Sequence, residues 1–388
     1  MDDFIREHRL DDVRELALQA QRYPNVDMKG ALQQIDGWQR SRKKLPMWAE
    51  TDGIVYPAHL SMEQCSSELT ARYKAGIVER GERMTDLTAG FGVDGTMMAQ
   101  KYGQATLVEQ NEELCAIVRH NLPLLGVKNA EVVCAKAEKA LYELARQDLI
   151  FLDPARRDAH GGKVVSIVDC TPDVSVLQEE LMRKAETVMI KLSPMLDIKS
   201  VVRDLKGVGE VHVVSVENEC KELLVKLCHS AEKVRTFCVN IDADGEAEMF
   251  DFDDEMEVNA TCRYVSEVGR FVYEPNASIM KAGGFKVLAE RYRIGKLHPN
   301  SHLYTTDDEI ADFPGRRFRV VKVSGLGKTE TRGLLDRLTQ ANLSVRNFPM
   351  SVAELRKRLK ICEGGDKYLY ATTLNDNRKV LLLLDRIK

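Results

Sequence analysis

Asp86-Leu87-Thr88-Ala89-Gly90-Phe91-Gly92-Val93-Asp94-Gly95 closes one apolar run, Met84-Thr88, and opens a helical stretch at Gly95-Gln100. Glycines at 90 and 92 let the backbone turn sharply and approach a ligand with no Cβ in the way. Asp86, at the strand end, is placed to accept hydrogen bonds from a cationic amine. Twenty-three residues on, Val108-Glu109-Gln110-Asn111 ends the next apolar run with an acid. A carboxylate there can take both hydroxyls of a ribose, as in dinucleotide sites. Strand, glycine turn, helix, strand, acid is the order a nucleotide-binding unit requires.

Outward from that turn, short apolar runs alternate with helical stretches. The strands are expected at Met84-Thr88, Thr106-Glu109, Glu131-Cys134, Leu149-Leu152, Val188-Leu192, Val211-Val216 and Leu223-Leu227. Helices separate the first five, around Gly95-Gln100, Leu114-Leu125, Glu138-Ala145 and Val174-Lys184. This alternation predicts a parallel sheet with helices on both faces. The last two strands are joined by Glu217-Asn218-Glu219-Cys220-Lys221-Glu222, with no helix between them, so they pair antiparallel. The fold class is therefore α/β, a Rossmann-like sheet of five parallel strands plus an antiparallel hairpin. An N-terminal helical cap precedes it and a C-terminal α+β module follows.

Three domains are expected: a cap over 1–80, the sheet domain over 81–240, and 241–388. The cap reads as helices around Leu10-Ala20, Asp27-Lys44 and Glu63-Gly76, with Glu63, Glu68 and Arg72 on one wet face. Asp242-Ala243-Asp244-Gly245-Glu246 lacks the spacing and terminal Glu of a calcium loop and reads as a hairpin turn at a boundary. Beyond Arg263 the order is β-α-β-α-β-β: Phe318-Val323, Thr329-Leu343, Ser344-Phe348, Ser351-Lys360, Tyr368-Thr373 and Val380-Leu384.

The fourth strand runs into Asp153-Pro154-Ala155-Arg156-Arg157. The glycine turn and the acid Glu109 at the end of the second strand make the chain resemble S-adenosylmethionine-dependent methyltransferases of class I. The resemblance implies S-adenosylmethionine as cofactor, held by Asp86, Ala89, Gly90, Gly92 and Glu109, with Glu138 near the adenine. Amino-group methyltransferases carry an Asp/Asn-Pro-Pro-aromatic tetrad after this strand. Here Asp153 and Pro154 match as catalytic residues, Ala155 replaces the second proline, and Arg156 replaces the aromatic. A guanidinium there can stack on a base or hold a phosphate. Asp-Pro-Ala-Arg also resembles the motif of RNA uracil-C5 methyltransferases, whose nucleophilic cysteine follows the fifth strand. The matching Lys191-Leu192-Ser193-Pro194-Met195 has none, which favours transfer to an exocyclic amine or ring nitrogen, with Ser193 lining the substrate pocket. Cys170 reads as structural.

Pro57-Ala58-His59-Leu60-Ser61-Met62-Glu63-Gln64-Cys65-Ser66-Ser67-Glu68 and the 217–222 hairpin are polar beyond structural need. With Asp153-Arg157 and Lys191-Asp197 they resemble, over nearly the whole chain, a bacterial methyltransferase family with a C-terminal THUMP-like domain. That resemblance implies Gln64 and Ser67 at the cofactor's carboxylate end. The glycine loop and preceding helix are also similar to cap-guanosine N2 methyltransferases. THUMP domains deliver RNA to attached modifying domains. The expected substrate is therefore structured RNA, either rRNA or tRNA, gripped through Arg316, Arg317, Arg356 and Lys360. A helix should place 356 and 360 on one face.

Composition agrees with a folded chain in which no apolar run approaches the roughly 20 residues of a membrane span. Met1-Asp2-Asp3-Phe4 lacks an apolar leader, so the expected location is the cytoplasm, with no membrane partner. Nine scattered cysteines with no Cys-x-x-Cys pair argue against a metal site or a disulfide framework. Residues 316–388 hold 17 Lys+Arg against 7 Asp+Glu, whereas 240–258 hold nine acids and no base. A basic end on an acidic body suits a polyanion partner. Two other functions stay open: a non-catalytic RNA-binding adaptor, and a protein or small-molecule methyltransferase.

Overall fold

A computed structural model describes residues 2–156, 167–335 and 338–387, and for Arg156 the backbone alone. Among them no helix is long and apolar enough to cross a membrane. The chain divides into two compact units, Met1–Val211 with Glu222–Lys233, and His212–Lys221 with Val234–Lys388.

The first unit is built on β1 (Gly81–Asp86), β2 (Tyr102–Glu109), β3 (Ala130–Cys134), β4 (Gln147–Leu152), the short β5 (Ala155–Arg156) and β6 (Cys170–Thr171), and β7 (Ala185–Leu192). The chain then forms β8 (Val208–Val216) and β9 (Glu219–Cys228). The order is β9-β7-β4-β1-β2-β3. Strands β7, β4, β1, β2 and β3 run parallel, and β9 is antiparallel to β7. Five parallel strands and an antiparallel hairpin are what the sequence pattern predicts. The order reverses between β1 and β4, so the crevice at their C-terminal ends is where such a sheet takes a ligand.

The helices of this sheet sit where the apolar periodicity puts them, at Val93–Ala99, Glu112–Leu124, Ala137–Glu143 and Val174–Lys184. Every residue of Val93–Ala99 is buried. Met84, Leu107, Val118, Leu149, Phe151 and Met189 form the core around β1. The N-terminal helices join this unit through a second cluster, in which Trp48, Tyr56 and Met62 pack on Phe91, Val93 and Met97. One expected helix breaks in two, His59–Gln64 and Glu68–Ile77, with Cys65, Ser66 and Ser67 between. Glu68 is not on a wet face: it is buried, accepting the Met47 N–H (2.7 Å) and holding Arg72.

The second unit begins with the hairpin β10 (Arg235–Ile241) and β11 (Ala247–Asp253), turning at Asp242–Gly245 as expected. A helix, Asp254–Asn259, occupies the rest of the acidic stretch. There follow β12 (Phe271–Pro275), β13 (Gly295–Lys296), β14 (Tyr304–Thr306), β15 (Gly315–Ser324), β16 (Asn342–Arg346), β17 (Lys367–Thr373) and β18 (Lys379–Ile387). They make one sheet, in the order β13-β14-β12-β15-β18-β17-β16. Between β15 and β16 the helix Lys328–Leu334 is shorter than the expected 329–343.

Candidate functional site at the glycine turn

Asp86 ends β1 inside the protein, 1% exposed. Its Oδ1 accepts the Thr88 N–H at 3.0 Å, so the carboxyl group sets the first bend of the glycine turn. Burial pushes this carboxyl well above the usual carboxylate range; the Thr88 N–H opposes the shift, and the nearby Asp94, Asp153 and Glu109 add to it. Gly90 and Gly92 both have positive φ, +56° and +79°, where a side chain is strained. A Cβ at Gly92 would sit 3.0 Å from Val118 Cγ1, whereas beside Gly90 there is open space. The turn is thus packed on one side and open on the other.

Glu109, at the end of β2, reaches back across that opening. One carboxylate oxygen accepts the Gly90 N–H at 2.9 Å and the other accepts the Asn111 N–H at 2.8 Å. Each oxygen keeps a lone pair for a further donor. Ala89 is nearly buried, its N–H on the Val108 carbonyl. Thr88 links the turn to the end of β4, because its Oγ1 accepts the Asp153 N–H at 2.6 Å. Asp86, Ala89, Gly90, Gly92, Glu109 and Asp153 therefore converge, and Pro154 is buried beside them.

The remaining expected residues are placed differently. Gln64 is exposed at the end of its helix. Ser67 caps the next helix, accepting the Thr70 N–H at 3.3 Å. Glu138 lies half-buried in the first turn of its own helix. Ser193, just past β7, accepts the Met195 N–H at 3.3 Å. The Arg156 side chain lies outside the described residues; its backbone pairs with Cys170.

A buried charge cluster next to Asp153 was not foreseen from the sequence. Lys191 of β7 pairs with Asp153 Oδ2. Burial alone would lower the Lys191 ammonium, but Asp153, Glu222 and Asp94 outweigh it and hold the group charged, above its ordinary value. Lys74, with no exposed side-chain surface, lies 2.6 Å from Glu222 and 3.2 Å from Asp94. Ser66 donates to Asp94 Oδ2 at 2.7 Å. Lys191 interrupts an apolar run, but Lys74 follows Arg72 on a helix and Glu222 ends the polar 217–222 hairpin, so the sequence marks neither of those two as buried. Among the described residues no group of His, Cys, Asp or Glu is arranged to hold a metal ion. A polar cavity lined by Glu82, Gln104, Arg146, Asp148 and Glu186 lies at the N-terminal ends of the strands, opposite the glycine turn.

In the second unit Arg316 is pinned by a buried carboxylate. Glu274 of β12 faces it across the β12–β15 pair, 3.3 Å away, and also takes Arg346 (2.6 Å) and the Tyr370 hydroxyl (2.7 Å). Arg317 donates to the Ala311 carbonyl. Arg356 is largely buried and lies 4.0 Å from Glu363. Lys360 is exposed and caps that helix at φ +56°, its N–H on the Arg356 carbonyl at 2.9 Å.

Residues 271–314 match the ferredoxin-like domain family, and residues 315–386 match the THUMP domain-like family. The whole chain is similar to a crystal structure from Porphyromonas gingivalis W83 designated a candidate methyltransferase. The two are 34% identical, the match covers 100% of this chain and 97% of that one, and the TM-score is 0.88. A conserved hypothetical protein of Streptococcus pyogenes is 21% identical over 40% of this chain and 91% of its own, with a TM-score of 0.29. An rRNA methylase of Streptococcus thermophilus is 14% identical over 41% and 93%, with a TM-score of 0.30. No curated protein matches the chain at a significant level.

Proposed function

Since the chain belongs to the methyltransferase family of the Porphyromonas gingivalis protein, with its THUMP-like C-terminal domain, we propose that it methylates a base nitrogen in structured RNA, rRNA or tRNA, in the cytoplasm, using S-adenosylmethionine. The observation that carries this reading is the convergence of Gly90, Glu109 and Asp153 on one open edge of the sheet, with the turn closed behind them. The residues fit the cofactor. Space lies beside Gly90 where a Cβ would otherwise stand, and Glu109 has lone pairs left for two ribose hydroxyls. When bound, the cofactor supplies an electrophilic methyl group.

The chain's own residues bind and orient. Gly90, Gly92 and Ala89 form the floor of the cofactor site, Glu109 holds its ribose, and Asp86 fixes the turn from below. Gln64, Ser67 and Glu138 remain assigned to the cofactor's edges. Asp153 accepts an N–H of the acceptor nitrogen and aims its lone pair, which is a positioning effect. Pro154 stiffens that exit from β4, while Arg156 and Ser193 line the base. Arg316, Arg317, Arg356 and Lys360 would meet phosphates, which gives affinity without sequence choice.

The test is tritium transfer from labelled S-adenosylmethionine to RNA, DNA and protein from cells lacking the gene, with Asp153→Ala as control. Label in RNA that disappears with Asp153→Ala is the expected result, and RNA affinity should fall steeply with salt. Label in protein or DNA would replace the RNA reading. No label from protein that still binds the cofactor would leave the adaptor role.

A further inference from the structure

We infer that Lys191 is a positioning residue for the transfer, holding Asp153 by one carboxylate oxygen so that the other is presented to the acceptor; this rests on the function proposed above. The placement follows from strand register. In the parallel pair β4–β7, Leu152 stands opposite Ile190, so the next step brings Asp153 beside Lys191, about 5 Å away across the sheet. The ammonium takes Oδ2 of Asp153, while the Asp153 backbone N–H is held by Thr88 Oγ1. Among the described residues nothing donates to Oδ1. A carboxylate fixed at its backbone and at one oxygen offers a single acceptor in a set direction, which is what aligning an amine lone pair demands.

Lys191 is itself locked. Its side chain is 13% exposed, and besides Asp153 it faces Glu222 of β9 and Asp94 of the helix after the glycine turn. Those two carboxylates also hold Lys74, from the helix Glu68–Ile77. Two ammonium groups thus alternate with three carboxylates, and among the described residues Asp86 and the Cys65 thiol also face the cluster. Lys191 is too enclosed to grip substrate directly. Its effect passes through Asp153.

The experiment uses the full chain with three readouts: urea stability, calorimetric binding of S-adenosylhomocysteine, and initial rate of tritium transfer to total RNA from cells lacking the gene. Lys191→Arg keeps the charge, but a guanidinium takes both oxygens of a carboxylate in its fork. This variant is expected to keep wild-type stability and bind S-adenosylhomocysteine within about threefold, yet transfer at least tenfold more slowly. A purely structural lysine would leave the rate unchanged, and that result overturns the inference. Should Lys191→Arg not fold, the pair Lys191→Gln and Lys191→Met decides. Both remove the ammonium, but only Lys191→Gln keeps an N–H donor for Asp153 Oδ2. It is expected to be at least tenfold faster than Lys191→Met, and equal rates overturn the inference. Wild-type protein that labels no RNA refutes the proposed function itself, and the inference falls with it.

Discussion

Replacing Lys74 with Met tests how far the buried charge cluster holds the first unit together. Its Nζ lies 2.6 Å from Glu222 and 3.2 Å from Asp94, and these carboxylate side chains are 3% and 9% exposed. Removing the cation takes the close ammonium from two buried carboxylates, leaving the Ser66 hydroxyl on Asp94 and the field of Lys191, itself paired with Asp153. Breaking a buried pair by deleting one partner costs about 3–5 kcal/mol. The chain's two tryptophans, Trp38 and Trp48, both lie in the first unit, so their fluorescence reports that unit alone. With a urea m-value of about 2–3 kcal/mol/M, the midpoint should fall by about 1–2.5 M. Glu222→Gln in the same background should restore more than about 1 kcal/mol, since it removes one stranded charge. A Lys74→Met midpoint within about 0.3 M of wild type would refute the view that this cluster is closed and dry.

Gly95→Ala should cost about 1–3 kcal/mol in the same fluorescence assay, because a Cβ would stand 2.9 Å from Leu107 Cγ and 3.0 Å from Asp86 Oδ2. Glu109→Ala removes the acceptor for Gly90 and Asn111; S-adenosylhomocysteine affinity measured by calorimetry should fall by about 1–3 kcal/mol, roughly fivefold to 150-fold. Asp86→Asn removes a carboxyl whose folded value is raised above 3.8. The wild-type protein escapes that group's penalty below the unfolded value and incurs it as pH climbs through the folded one. The stability of Asp86→Asn relative to wild type should therefore rise with pH above about 4, measured by urea melts across pH, and a flat difference would contradict it.

Much of the first unit was legible because its strands and helices differ in apolar period, and the glycine turn and Glu109 stand where a nucleotide unit needs them. Legibility ended where charge goes inside. Glu68 reads as a solvated helix position and Lys74 gives no sign of burial, yet both are buried against partners distant in sequence. Lys191 breaks an apolar strand and gave no sign of its partner, which register alone supplies. The segment 271–314 was passed over for a related reason. Strand β12 is buried at all five positions and carries Glu274 within it, so it shows neither alternation nor an apolar run. Helix ends were overrun at Leu334 and Leu359, where no proline or glycine marks the stop. Ser67 was singled out where its neighbour Ser66 is the one turned into the cluster.

The two matched family segments meet between Pro314 and Gly315, yet that junction is not a place to cut. Strand β15 lies between β12 on one side and β18 on the other, so the backbone ladder crosses from one segment to the other. Glu274, from the ferredoxin-like segment, is clasped by Arg316, Arg346 and Tyr370 of the THUMP-like segment. Expressed apart, each half would bare an unsatisfied strand edge, and the first would carry a carboxylate shorn of its cations. Units of descent and units of folding therefore differ here. A truncation meant to isolate the THUMP-like part has to begin ahead of Phe271 to remain a self-contained sheet.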